Sequence, residues 1–106
     1  MDHKTVEEYV LSMPNATLDH PFGEDVDVYK VNDKMFALIA VGREPVRLSL
    51  KCDPQLAQKL RAEYESVQQG DRLNKKHWNT IILTGQLEWE QIQDLIRHSY
   101  ILATED

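Results

Sequence analysis

Cysteine is almost missing from this chain of 106 residues, with Cys52 standing alone. A single thiol cannot close an intramolecular disulfide, and a cysteine-rich zinc site is excluded with it. Glycine and proline are sparse, four of each, and no low-complexity tract, linker or internal repeat interrupts the chain. No apolar run approaches the roughly 18 residues of a membrane span. The longest, Met35–Val41, has seven residues. The opening MDHKTVEEYVLSMP places acids where a secretory signal needs a basic end and an apolar stretch. A cytoplasmic protein with no membrane partner is the expectation. No GxSxG, HExxH, GxGxxG or Walker pattern occurs, so no enzyme activity and no cofactor are expected.

What is present is an ordinary globular composition, 42% hydrophobic and 28% charged, of a length that fits one domain over residues 1–106. Acids outnumber bases by eighteen to twelve, for a net charge of −6. Bulk charge therefore argues against indiscriminate attraction to DNA or to an anionic membrane. The distribution is uneven. Residues 1–29 carry one base and seven acids, residues 30–76 ten bases and six acids, and residues 77–106 one base and five acids. The cations are concentrated in the middle of the chain.

Hydrophobic spacing supplies the elements. Val6, Tyr9, Val10 and Met13 recur at helical intervals, predicting a helix over residues 4–13 that Pro14-Asn15 stops. Residues 16–21 lead into Phe22-Gly23-Glu24-Asp25, a loop or short edge strand. Val26–Val31, Lys34–Val41 and Val46–Lys51 read as three strands joined by short turns, hence antiparallel neighbours. In the third, Val46, Leu48 and Leu50 point one way and Arg47, Ser49 and Lys51 the other, giving a packed face and a wet face. Asp53-Pro54 opens a helix to about Ala62. A short strand at Ser66–Gln69, a strand at Thr80–Thr84 and a last helix from Glu88 to about Ala103 follow. The order α-β-β-β-α-β-β-α predicts an α+β, two-layer fold with an antiparallel sheet of about five strands and helices on one side.

Several segments in this order resemble the YjbR/MmcQ family of small bacterial proteins. They are His20-Pro21-Phe22-Gly23, Lys34-Met35-Phe36-Ala37-Leu38, Ser49-Leu50-Lys51-Cys52-Asp53-Pro54, Leu73-Asn74-Lys75-Lys76-His77-Trp78-Asn79-Thr80 and Leu95-Ile96-Arg97-His98-Ser99-Tyr100. The resemblance implies an α-β(3)-α-β(2)-α domain, broadly similar to frataxin-like and secretion-chaperone-like folds. It also implies DNA binding, through a double-wing likeness. Gln86-Leu87-Glu88 departs from the family pattern, opening the last helix without a strong N-cap.

Two basic stretches are the candidate nucleic-acid site. Lys75, Lys76, His77, Trp78 and Asn79 combine cations for phosphates with an aromatic and an amide for a base. If the run is a strand, Lys76 and Trp78 share one face while Lys75, His77 and Asn79 take the other; the competing reading makes Trp78 a core cap. Arg47, Ser49 and Lys51, joined by Lys30, form a basic sheet face that suits a phosphate backbone, a solvated surface or an acidic partner protein. The alternative function is a protein-interaction or adaptor domain, homodimeric or with another partner. Asp19, His20, Glu24, Asp25 and Asp27 form an acidic cluster that matches no calcium loop. No metal site is assigned, and weak divalent binding in the manner of a frataxin-like acidic ridge is the one metal chemistry left open. Cys52, just ahead of a helix N-terminus, is placed where a thiol pKa falls. His98 is expected to be exposed.

Overall fold

The computed structural model describes residues 1–70 and 72–105. Asp2 accepts the Thr5 backbone N–H at 2.9 Å and so caps helix α1, His3–Leu11. Six strands follow in two groups: β1 (Thr17–Asp19), β2 (Val26–Val31), β3 (Lys34–Ala40) and β4 (Arg47–Lys51), then β5 (Val67–Gln69) and β6 (Trp78–Ile82). Helix α2, Pro54–Glu63, separates the groups, and α3, Trp89–Thr104, ends the fold. Every neighbour in the sheet order β1-β2-β3-β4-β6-β5 is antiparallel.

The sheet has one strand more than the sequence suggests. β1 is three exposed residues long, too short for alternation to register, and it pairs Thr17 with Lys30 and Asp19 with Val28. The turn between β2 and β3 is Asn32-Asp33, both at positive φ, the two-residue geometry that follows the twist of a hairpin. A register shift between Tyr29 and Lys30 inserts Phe36 as an extra residue in β3. Phe36 and Ala37 consequently both belong to the main core. β6 begins at Trp78, two residues earlier than hydrophobicity indicates.

All three helices cover one face. That face carries the main core, including Tyr29, Phe36, Ile39, Leu48, Ile81 and Ile96, each large side chain contributing about 1.5–3 kcal/mol through burial. The α2 start follows its sequence signature: Asp53 Oδ2 accepts from Gln55 N at 3.1 Å and Leu56 N at 3.2 Å, with Pro54 in the first turn. The α3 start is closed differently. The Gln91 side chain accepts the Glu88 N–H at 2.8 Å, and Gln86 accepts Ser66 N–H at 2.9 Å. The weak N-cap is thus compensated by the first turn of the helix itself.

The helix-free face is not simply wet. Val28, Leu38 and Trp78 are buried there, packed with Val26, Met35 and Leu73. Ser49, expected in solvent, is buried and lies 2.8 Å from the Thr80 hydroxyl on the neighbouring strand. Leu73, from the segment that leads into β6, helps cover this second cluster.

Candidate nucleic-acid interface

Strand parity decides which candidate residues meet. The register row Tyr29–Ala37–Leu50–Asn79 faces the helices, since Tyr29 meets α1 and Asn79 meets α2. Residues one step away face outward. Lys30 on β2 and both Arg47 and Lys51 on β4 therefore share the helix-free face. Arg47 lies across from Ile82 and Lys51 from Trp78. Arg47 and Lys51 are roughly 13 Å apart along their strand and Lys30 is roughly 10 Å away across two strand spacings. Lys30 already holds Asp19, at 3.3 Å. The His20 backbone N–H, and then Lys30, hold the Asp19 carboxyl below its ordinary value.

Lys75 and Lys76 are exposed in a turn and not in a strand. Asn74 shapes the turn: its side chain accepts Lys76 N–H at 2.9 Å and its carbonyl accepts His77 N–H at 3.1 Å. The His77 carbonyl accepts Cys52 N–H at 2.7 Å, which sets this turn beside the end of β4 next to Lys51. Lys30, Lys51, Lys75 and Lys76 thus fall toward one end of the sheet, with Arg47 on the same face at the other end of β4.

The residues expected to touch bases are placed elsewhere. Trp78 faces outward but is 8% exposed, enclosed by the second apolar cluster. Asn79 corrects the sequence expectation outright. It is 2% exposed on the helix side, where its oxygen accepts from Arg61 at 2.6 Å and its amide donates to the Ala57 carbonyl at 3.3 Å. A buried amide needs both partners, and α2 supplies them. Cys52 is buried, and burial, followed by the adjacent Asp53 carboxylate, pushes its thiol up to about 11. The lowered thiol pKa expected ahead of α2 is therefore reversed. His98 is half-buried, its Nε2 accepting Asp53 N–H at 3.2 Å, so it is a prop for the α2 cap and not a free imidazole.

A second polar constellation escaped the sequence reading in part. Asp27 faces α1, with His3 Nε2 at 2.8 Å from one carboxylate oxygen and His20 Nε2 at 2.7 Å from the other. Tyr29, fully buried, donates its hydroxyl to Glu7 at 2.6 Å. Burial first, and then the Glu7 carboxylate, push that phenol far above its ordinary value. His20 and Asp27 were visible as an acidic cluster; His3 and Glu7 were not. The available signal was their four-residue spacing, which puts both on one face of α1.

The family model YjbR matches residues 11–102. The chain is 32% identical over 103 residues to YbdF of Escherichia coli O157:H7, covering 97% of this chain and 84% of that protein. It is 33% identical over 93 residues to YjbR of Escherichia coli K12, covering 88% and 79% respectively. The crystal structure of Deinococcus radiodurans protein DR2400 is similar with a TM-score of 0.92 at 34% identity, over 97% of this chain and 78% of that one. A crystal structure from Pseudomonas syringae gives 0.83 at 27% identity, over 97% and 99%. Sequence and fold agree along nearly the whole length, and the chain belongs to the YjbR family.

Proposed function

We propose that this protein binds nucleic acid through its phosphate backbone, without reading bases, on the helix-free face of the sheet. The observation that carries the reading is the register that gathers Lys30, Arg47 and Lys51 on one face, with the Lys75–Lys76 turn at its end. The helices bearing Glu7, Glu8, Glu90 and Asp94 lie on the opposite face. Segregation of this kind lets a protein of net charge −6 offer one locally cationic surface. Trp78 and Asn79 are withheld from that surface, so contacts to phosphate position the ligand and carry no sequence information.

The reading is tested by anisotropy of a fluorescent DNA duplex at low salt with wild-type protein and with Arg47→Glu/Lys51→Glu. Two reversed charges should weaken binding by at least about tenfold, since each lost phosphate contact removes counterion release. Equal affinity in the variant overturns it.

A second reading, a protein-interaction domain, draws on the exposed edge strand β1 and on Leu18 and Phe22, 42% and 60% exposed beside it. Unpaired strand edges accept further strands. This reading expects self-association or partner capture that Leu18→Glu/Phe22→Ser abolishes and Arg47→Glu/Lys51→Glu leaves intact, measured by sedimentation velocity.

A further inference from the structure

The N-terminal helix and β2 bring together a group of side chains that the basic face does not use. His3 and Glu7 project from successive turns of α1, Asp27 from the helix-facing side of β2, and the ligand-capable atoms of all three lie within 4.8 Å of one another. All three are half-buried. We infer that His3, Glu7 and Asp27 form a binding site for a divalent transition-metal ion, of the zinc or cobalt type.

The donor set argues for this class of ion. One imidazole nitrogen and two carboxylate oxygens suit borderline cations better than the all-oxygen shells of calcium or magnesium. Metal–nitrogen and metal–oxygen bonds of about 2.0–2.2 Å in a tetrahedron put ligand atoms about 3.3–3.6 Å apart. The 2.8 Å between His3 Nε2 and Asp27 Oδ2 needs only a small opening to reach that edge. An ion seated there replaces the imidazole Nε2 proton and leaves Nδ1–H to carry the ring's hydrogen.

The supporting contacts have the form that metal ligands usually require. His20 holds the far oxygen of Asp27 at 2.7 Å, and the buried Tyr29 hydroxyl holds one oxygen of Glu7 at 2.6 Å. Asp27 is thereby held with its other oxygen, Oδ2, turned to His3. Outer partners of this kind commonly change metal affinity by about 10–100-fold. Because the ligands come from α1 and β2, an ion would tie the N-terminal helix to the sheet.

Isothermal titration of the full chain with Zn²⁺, and with Co²⁺ followed by its visible absorption, tests the site. The expected result is one-to-one saturable binding, weakened at least about tenfold by His3→Gln and by Glu7→Gln. Glu7→Gln keeps an acceptor for Tyr29 and should fold; circular dichroism checks both variants. Saturating Zn²⁺ should raise the melting temperature of the wild type and not of His3→Gln. His77→Gln, a histidine outside the cluster, should leave affinity unchanged. No saturable binding, equal affinity in the His3 and Glu7 variants, or loss through His77→Gln overturns the inference.

Discussion

The hydroxyl of Ser99 donates to the carbonyl of Phe36 at 2.5 Å. The same oxygen accepts the backbone N–H of Lys51 at 2.9 Å. One buried side chain on α3 thus satisfies the carbonyl left over at the β3 irregularity and the first amide past the β3–β4 pairing. Lys51 is one of the proposed phosphate contacts, so the position of that cation depends on a residue on the opposite side of the sheet.

Ser99→Ala leaves a carbonyl and an amide buried without a partner, at a cost of about 1–3 kcal/mol. Urea unfolding should show a lower midpoint with an unchanged slope. A midpoint equal to wild type contradicts this assignment.

Asn79 is bonded to Arg61 and Ala57 and faces away from the basic surface. Asn79→Ala should therefore lower stability by about 1–3 kcal/mol while leaving DNA affinity within about twofold of wild type. Chemical denaturation and anisotropy on the same preparation check the two halves. A stable variant with lost binding would restore Asn79 to the interface.

Cys52 gives the pH dependence. Its folded pKa of about 11 lies above the unfolded value of about 8.5. The folded state keeps the proton that the unfolded state loses, so this contribution to stability is complete below about pH 8.5 and declines as pH rises toward 11. Iodoacetamide should modify the native protein at pH 8 roughly 200-fold more slowly than the urea-unfolded protein, in proportion to the thiolate present. Equal rates would contradict the burial of this thiol.

The sequence carried the architecture wherever a local signal was strong. Asp53-Pro54 capped α2 as read, Asn32-Asp33 made the hairpin, and Leu48 and Leu50 faced the core. What it could not carry were relations between distant residues. β1 is too short to show alternation and exists by pairing with β2. The outward side of the sheet looked polar along β4, yet Val28, Leu38, Trp78 and Leu73 from other segments assemble a second apolar cluster on it. That Arg47 and Lys51 share a face was legible because they lie four residues apart within one strand, whereas the side that Lys30 takes depends on its pairing with β3. Strand alternation already set Asn79 opposite Trp78, but nothing local in the sequence shows that α2 packs over Asn79 and takes up its amide. His3 and Glu7 reach Asp27 only once α1 lies on β2.

The central claim is that a handful of cations meet phosphate, and the salt dependence of DNA binding tests it most directly. Three to five contacts from Lys30, Arg47, Lys51, Lys75 and Lys76 predict that log affinity falls linearly with log salt, with a slope between about −2.7 and −4.5 on duplex DNA, whatever its sequence. No binding at low salt, or binding whose affinity is insensitive to salt, would contradict the account.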